Sequence, residues 1–360
     1  MNESNTERRM ARRNFLQMSA AAGLTLAMAK QSSAAAMLPP QLQTPSGKPL
    51  RGLYPIMQTP FTEKDVLDTD LLANEVKYIN RGGVAGMIWP VFASSWSTLS
   101  DAERITGAET ILAAAKGGKS AVAIAVQNTA WDTATSVRYA KHAAAHGADA
   151  IVAIPPNNGW NVSDQTVIDY YKAIGKATDL PLVVQTRGTI SVDLMIEMFK
   201  QIPTMKATKD EVGDPLERAP ELMRRTDNKL AIWNAGGGTG NQLLEILPLG
   251  FAGLCPTPQF ADLLQQAMEL YWADKKQEAF EMYGRVQAFA TLPGATEYMM
   301  VARGVFKETT RLRQQPMEPE AKAENPGGGG GGRRHAPPTD TQKQHIREAL
   351  NTYLKPYLRA

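Results

Sequence analysis

Short apolar runs alternate with longer amphipathic segments between residues 52 and 259, and this alternation predicts the architecture of the chain. The runs have the length of strands, whereas the segments between them repeat apolar residues at helical spacing. The predicted strands are Gly52–Pro60, Gly86–Val91, Ser120–Gln127, Ala150–Pro156, Pro181–Thr186, Thr204–Lys209, Leu230–Ala235 and Ala252–Thr257. Strands that are each followed by a helical segment predict a parallel sheet with right-handed crossovers.

Eight such units that close on themselves form a (β/α)8 TIM barrel. A doubly wound open sheet is the alternative, but the glycine-rich phosphate loop that follows its first strand is absent here. The pattern therefore predicts an α/β fold, a (β/α)8 TIM barrel over residues 50–259 with a C-terminal helical extension.

Three segments follow the predicted barrel. Residues 260–313 carry the apolar spacing of two or three further helices. Residues 314–338 are polar and proline-rich and contain six consecutive glycines, Gly327–Gly332. Such a stretch cannot bury enough apolar surface to offset the entropy lost on ordering, so it is predicted to be a flexible connector. Residues 339–360 are predicted to form a final amphipathic helix.

The N-terminus predicts export. Arg12 and Arg13 precede Phe15 and Leu16, a mildly apolar stretch follows, and small residues at 34–36 supply a cleavage site. This order is typical of a twin-arginine signal over residues 1–36, so we expect a periplasmic or otherwise exported protein. An amphipathic or disordered basic leader is the alternative.

Composition excludes several classes of partner. The 360 residues are 43% hydrophobic with a net charge of +3, and no basic patch is interleaved with aromatics, so nucleic acid is not expected as a partner. The apolar stretch near the N-terminus is too short for a stable membrane span. A single cysteine, Cys255, excludes an internal disulfide. The four histidines are interpreted as lacking helical pairing, so neither a metal nor another cofactor is expected.

Lys209 is the candidate catalytic residue. It ends the sixth predicted strand, and β/α barrels present their catalytic groups at the carboxyl ends of strands. Burial disfavours the ammonium form of a lysine, and a neutral amine can form a Schiff base with a carbonyl group. The alternative is a solvated loop lysine.

The order of motifs resembles the dihydrodipicolinate synthase/N-acetylneuraminate lyase family of class I aldolases. Gly52–Phe61 ends in Thr-Pro-Phe, Thr98–Arg104 is similar to the family's second helix entry, and Lys209 is followed by Gly213 and Asp214. The resemblance covers residues 50–358. It implies that Lys209 forms an imine with pyruvate or a related 2-oxo acid, for aldol cleavage, condensation or dehydration. It also implies a homo-oligomer, a dimer or a tetramer.

The resemblance further implies the substrate-binding residues. The 2-oxo acid carboxylate is expected at backbone N–H groups of the loop after the second strand, here Phe92 and Ala93. Arg187 is expected to bind a distal carboxylate. The remaining expected pocket residues are Asn157, Gln185, Thr186 and Cys255, although a buried strand residue is the simpler interpretation of the cysteine.

Departures from the family pattern limit the functional prediction. Gln185 stands where the family has a proton-shuttling tyrosine, and glutamine cannot release a proton near neutral pH. Ser94 and Ser95 replace a threonine pair and either restore a hydroxyl or form a turn. Asp210 and Glu211 are interpreted as caps of the next helix rather than acids. A Schiff-base lyase distinct from the standard lysine-biosynthesis enzyme is therefore predicted. A noncatalytic binding protein and a barrel enzyme of unrelated chemistry are the alternatives.

Overall fold

The computed structural model describes residues 42–314, 316 and 337–359. The predicted signal at 1–36 lies outside this range, as does most of the predicted connector at 314–338. Within the described ranges, no helix is long and apolar enough to cross a membrane.

Eight parallel strands form a barrel, which confirms the predicted fold. In chain order the strands of the molecule are β1 (Gly52–Leu53), β2 (Pro60–Phe61), β3 (Gly86–Trp89), β4 (Ala121–Ala125), β5 (Ala150–Ala153), β6 (Leu182–Gln185), β7 (Met205–Asp210), β8 (Ala231–Asn234), β9 (Gly253–Leu254) and β10 (Arg311–Leu312). All except β2 and β10 belong to the barrel, and β1 pairs with β9. A parallel bridge between Ile56 and Ile88 joins the chain beyond β1 to β3 and completes the ring.

Helices cover the outside of the barrel and build the C-terminal part. They are α1 (Thr69–Arg81), α2 (Asp101–Ala115), α3 (Thr133–Ala145), α4 (Asp164–Gly175), α5 (Val192–Gln201), α6 (Pro215–Arg225), α7 (Leu243–Ile246), α8 (Ala261–Trp272), α9 (Lys276–Ala290), α10 (Ala295–Ala302) and α11 (Asp340–Ala349). Most barrel helices begin at a residue whose side chain accepts a hydrogen bond from the first helical turn, which satisfies one of the free N–H groups there. These N-cap residues are Asp68, Ser100, Asp132, Ser163, Ser191 and Asp214.

The first strand is shorter than predicted. Pro55 and Pro60 lie within the predicted strand and have no N–H group to donate to a neighbouring strand. Pairing nevertheless continues irregularly past Leu53, because the N–H groups of Tyr54 and Ile56 donate to Leu254 and Pro256 at 2.9 and 2.7 Å.

The barrel interior is a separate apolar cluster inside the ring of strands. Tyr54 and Trp233 stack there with ring centroids 4.1 Å apart, and both rings are fully buried. Small side chains leave room for this pair, as shown by Ala121, Ala123, Ala150, Ala207, Ala231 and Ala252. Side chains alternate along each strand, so every second residue faces this interior and the others face the helices.

The C-terminal part differs from the predicted all-helical region at 260–313. Arg311 and Leu312 form β10, which pairs antiparallel with β2. The next residue, Arg313, holds this segment near the mouth of the barrel: its guanidinium pairs with Glu103 at 2.9 Å and lies 3.8 Å from the ring centre of Phe61. The helix predicted over 339–360 is α-helical only in α11, which is followed by a wider π turn over Leu350–Leu354.

One expectation about the histidines is wrong. His142 lies in the last turn of α3 and His146 is the residue that ends this helix, so the two are separated by one helical turn. Their ring centroids are 4.2 Å apart. The chain therefore does carry a helical histidine pair.

Glu75 of α1 carries a buried carboxyl group whose protonation affects the stability of the fold. Its side chain is fully buried, and burial raises its pKa well above the ordinary value near 4.5, although the N–H of Gln58 opposes this by donating to Oε1 at 3.0 Å. Between these two pKa values the folded chain holds a proton that the unfolded chain lacks, so stability falls as pH rises. The unfolding free energy falls by up to about 1.4 kcal/mol per pH unit for this one group. Glu75→Gln has no proton to lose and therefore removes this fall.

We therefore expect the unfolding free energy of Glu75→Gln, relative to the unaltered protein, to rise between about pH 5 and about pH 8. Urea unfolding at the two pH values measures this difference. Glu63→Gln, at an exposed glutamate in the loop after β2, is the control and should show no such trend. Equal pH dependence of Glu75→Gln and the unaltered protein would contradict the buried, protonated carboxyl.

Candidate active site

Lys209 and Gln185 face the barrel interior side by side. They are direct neighbours in the register of β6 and β7, and both lie at the carboxyl end of their strand. The alternation along β7 places Ala207 and Lys209 inward, because a one-residue irregularity at Lys206 resets the register with β6. Lys209 is only 4% exposed, so it is not the solvated loop lysine that was the alternative.

A carboxylate lies directly beside the lysine amine. Lys209 Nζ donates a hydrogen bond to Glu211 Oε1, and Gln185 Nε2 donates to Glu211 Oε2 at 2.8 Å. Glu211 follows Lys209 by two residues and so stays on the same side of the chain as it leaves β7. The site therefore contains an acid that the sequence interpretation assigned to a helix cap.

Charge neighbours keep this acid ionised. Burial alone would raise the pKa of Glu211, but the charges of Lys209 and Arg187 and the hydrogen bonds from Lys209 and Gln185 outweigh it, so its pKa lies below the ordinary value. Arg187 Nη1 is 4.0 Å from Glu211 Oε2. At neutral pH Glu211 is thus a carboxylate, the form that can accept a proton.

Arg187 lies in the loop after β6, at the mouth of the barrel, and contacts the loops that follow β3 and β5. Its guanidinium lies over the ring of Phe92 at 4.4 Å from the centroid. Gly159 and Gly188 both have positive φ and touch backbone to backbone; a Cβ on Gly159 would meet the carbonyl oxygen of Arg187 at 2.2 Å. Only glycine permits this approach, which positions the backbone of Arg187 against the loop after β5.

Asp210 and Thr186 support the site from behind. Asp210 faces the helix layer, where Arg218 Nε donates to its Oδ2 at 3.0 Å. The hydroxyl of Thr186 donates to Asp210 Oδ1 at 2.7 Å and accepts the N–H of Glu211 at 2.8 Å. The structure thus brings Thr186 to Asp210 rather than to the lysine amine, and its contacts orient the backbone of Glu211.

The helix-cap interpretation of Asp210 and Glu211 is wrong. The residue that caps α6 is Asp214, whose side chain accepts from Leu216 N at 2.8 Å. Asp210 is used in its pair with Arg218, and Glu211 in its pair with Lys209.

The loop after β3 contains the predicted carboxylate-binding residues. Phe92 and Ala93 begin a short 3-10 turn, Phe92–Ser94, so their N–H groups have no acceptor inside that turn. The two serines take part in the turn rather than in a hydroxyl relay. Ser94 Oγ donates to the carbonyl of Met57 at 2.5 Å, and Ser95 Oγ donates to the carbonyl of Arg313.

Asn157 and Cys255 occupy different environments. Asn157 is exposed, and its amide donates to the carbonyl of Trp160 at 2.7 Å, so nothing in its described contacts joins it to the lysine. Cys255 is buried just beyond the carboxyl end of β9, close to the ion pair. Burial raises the pKa of its thiol to about 12, with the Lys209 charge lowering it and Glu211 raising it. The thiol is therefore protonated at neutral pH.

Several buried polar atoms in the strands and loops at the carboxyl end of the barrel lack partners within the described chain. They are Gln185 Oε1 and Gln127 Oε1, which are acceptors, and Trp96 Nε1, which is a donor. Buried polar atoms in native proteins almost always have a partner, and leaving one unpaired costs about 1–3 kcal/mol. Their position at the end of the barrel that also holds Lys209 indicates a site for a polar ligand.

A (β/α)8 barrel with a buried lysine, a carboxylate and an arginine gathered at the carboxyl ends of its strands has the architecture of a barrel enzyme. The family model described as the dihydrodipicolinate synthetase family matches residues 49–312. The chain belongs to this family, whose members are class I Schiff-base aldolases and lyases.

Relatives in this family share part of the sequence. The 4-hydroxy-tetrahydrodipicolinate synthase of Sphingopyxis alaskensis is 32% identical over 168 residues, which are 45% of this chain and 56% of the relative. A probable 2-dehydro-3-deoxy-D-pentonate aldolase of Escherichia coli K12 is 30% identical over 233 residues, 63% of this chain and 76% of the relative. The chain thus spans little more than half the length of the first of these proteins.

A solved structure shows the shared fold. A prophage protein of the dihydrodipicolinic acid synthase family from Escherichia coli K12, in complex with pyruvate, superimposes with a TM-score of 0.66. The match covers 84% of this chain and 98% of that protein, at 17% sequence identity. At this identity the likeness concerns the barrel and not its substrate.

Proposed function

We propose that this protein is a class I lyase that forms a Schiff base between Lys209 and pyruvate or a related 2-oxo acid. The observation that carries the proposal is the ion pair between the buried Lys209 and Glu211 at the carboxyl end of β7. This pair places a nucleophile beside a base at the carboxyl end of the barrel strands. The chain belongs to a family of Schiff-base lyases, for which such a lysine is the expected imine-forming residue. The pyruvate complex of the prophage relative supports the choice of substrate class.

The charge of the site favours an anionic substrate. Lys209 and Arg187 carry two positive charges against one negative charge on Glu211, while Asp210 is neutralised by Arg218. A 2-oxo acid carboxylate would complete this balance. In this proposal the substrate carboxylate accepts hydrogen bonds from the N–H groups of Phe92 and Ala93, which have no acceptor inside their own turn.

The proposed chemistry starts with a proton transfer from the ammonium of Lys209 to Glu211. The neutral amine adds to the keto carbon and gives a carbinolamine. Glu211 returns its proton to the hydroxyl of the carbinolamine, which leaves as water, so that a protonated imine and the Glu211 carboxylate result. A carboxylate beside this imine then removes a proton from the adjacent carbon and leaves an enamine. The enamine carbon takes up a proton or attacks an aldehyde carbon, and water finally releases the lysine.

Glu211 is the proposed proton carrier of this sequence, in place of the absent tyrosine. It contacts the lysine amine directly and is ionised at neutral pH, so it can accept protons at each step. Gln185, at the former tyrosine position, donates to Glu211 and orients it. The replacement therefore moves the acid/base function from β6 to the end of β7.

Exchange of the methyl protons of pyruvate with deuterium tests the proposal without knowledge of the second substrate. Imine and enamine formation alone bring about this exchange, so the purified protein is expected to accelerate the loss of the pyruvate methyl signal in deuterated water. Proton magnetic resonance measures the rate. A folded protein that accelerates exchange in neither pyruvate nor a panel of longer 2-oxo acids would contradict the lyase proposal.

A noncatalytic binding protein is the second candidate. It is favoured by the use of both Ser94 and Ser95 hydroxyls in bonds to backbone carbonyls, which leaves no hydroxyl relay in that loop. Calorimetry separates the two candidates. Saturable binding of a 2-oxo acid without exchange and without a reducible adduct would establish the binding protein instead.

The location and assembly of the protein are part of the proposal. The arginine pair at Arg12 and Arg13 supports export through a twin-arginine signal, and family likeness supports a homo-oligomer. Cell fractionation tests the first, with Arg12→Lys/Arg13→Lys expected to retain the protein in the cytoplasm. Light scattering of the purified protein tests the second.

A further inference from the structure

Helices α2 and α3 bring two histidines and a glutamate together on the outer face of the barrel. Glu109 of α2 reaches the histidine pair of α3: its Oε1 is 3.0 Å from His142 Nε2 and 3.7 Å from His146 Nε2. The end of α3 leads into the amino end of β5, so this cluster lies toward the opposite end of the barrel from Lys209. The proposed reaction uses none of the three residues.

A backbone hydrogen bond fixes which nitrogen of His146 is free. Nδ1 lies 2.8 Å from the carbonyl oxygen of His142. Because a carbonyl only accepts hydrogen bonds, Nδ1 carries a proton, and Nε2 of the neutral ring keeps its lone pair. This lone pair faces the Glu109 carboxylate, which is also an acceptor. A cation between the two groups satisfies both, and a backbone bond of this kind is the usual support of a metal-binding histidine.

The two distances from Glu109 fit a tetrahedral ion. The three ligand atoms all lie within 4.8 Å of one another. In a tetrahedral zinc site with bonds of about 2.05 Å, ligand atoms are roughly 3.3 Å apart, a value between the two distances from Glu109 Oε1. Two histidines and a glutamate are also a known donor set of zinc sites that keep a coordination position open. Glu109 and His146 are both nearly half exposed, so an ion and its water can enter.

We infer that Glu109, His142 and His146 bind one divalent transition-metal ion of the zinc class. Each histidine binds through Nε2 and the glutamate through a carboxylate oxygen, with water at the open position. The ion joins α2 to α3, two neighbouring helices of the outer layer, and so stabilises the folded barrel by mass action. The site is independent of the Lys209 chemistry.

Zinc binding by the full-length, untagged protein tests this inference. Competition with a chromogenic zinc chelator is expected to give one tight site per chain, and Co²⁺ in the same site should give the intense visible bands of tetrahedral coordination. Zn²⁺ in hundredfold excess over its dissociation constant should raise the melting temperature by about 3–5 °C. The variants His142→Ala and His146→Ala are each expected to lose the site and this shift.

His345→Ala is the matched control, because His345 is an exposed histidine of α11 without a second histidine one turn away. This variant should bind Zn²⁺ as the unaltered protein does. Far-ultraviolet circular dichroism of the metal-free variants checks that they fold. If the double variant His142→Ala/His146→Ala binds as much Zn²⁺ as the unaltered protein, or if neither protein binds it stoichiometrically, the cluster is an ordinary histidine–carboxylate ion pair and the inference is wrong.

Discussion

Replacing Lys209 with alanine is expected to lower the rate of pyruvate methyl exchange by about a thousandfold or more. The change removes the amine that contacts Glu211 and that forms the imine in the proposed reaction. The same change leaves the Glu211 carboxylate, whose side chain is only 14% exposed, with one charged neighbour fewer. We therefore also expect a loss of unfolding free energy of about 2–4 kcal/mol. The rate of exchange and the urea midpoint measure the two effects.

Two further variants separate chemistry from stability. Lys209→Arg keeps a positive charge beside Glu211, but a guanidinium cannot form the imine, so stability should recover in part while exchange stays lost. Lys206→Ala removes an exposed lysine from the same strand and should change neither quantity. Exchange that persists in folded Lys209→Ala would show that another group carries the reaction.

Replacing Glu211 with glutamine is expected to separate imine formation from proton transfer. The glutamine has the shape of the glutamate but cannot accept a proton, so exchange should fall by about 10²–10⁴-fold. A lysine amine without a carboxylate neighbour can still add to a ketone, and we expect the borohydride-reduced adduct to remain. Parallel measurement of exchange and of adduct yield checks this prediction.

Glu211→Asp and Glu217→Gln are the controls for this effect. The aspartate keeps a carboxylate at a greater distance and should restore part of the exchange. Glu217 is an exposed glutamate in the first turn of α6, and its replacement should have no effect. If Glu211→Gln loses adduct and exchange in equal measure, Glu211 only holds the lysine in place and the proposed proton carrier is wrong.

The sequence predicted the barrel because each strand–helix unit repeats the same local signals. The place of Lys209 at the carboxyl end of its strand was predictable, whereas its inward direction depends on the irregularity at Lys206, after which the alternation along β7 places Ala207 and Lys209 inward. The same alternation places Glu211 on the same side, but a following helix start made capping the simpler interpretation. Which acid caps that helix depends on the path of the loop, and Asp214 rather than Glu211 reaches the free N–H groups.

Other features depended on contacts between distant segments. Thr186 was expected at the pocket from its place at a strand end, yet its partner Asp210 lies on the next strand. The two-residue strand β10 consists of exposed residues and carries no apolar pattern. The helical spacing of His142 and His146 was visible in the sequence, whereas the approach of Glu109 from a neighbouring helix was not.

Reduction of the protein with borohydride in the presence of pyruvate tests the central claim most directly. Mass spectrometry of the digested protein should find one reduced pyruvate adduct per chain, located on Lys209. The adduct should be absent from Lys209→Arg and present in Lys206→Ala. An adduct on a different lysine, or no adduct with any 2-oxo acid from a protein shown to be folded, would contradict the assignment of Lys209 as the Schiff-base residue.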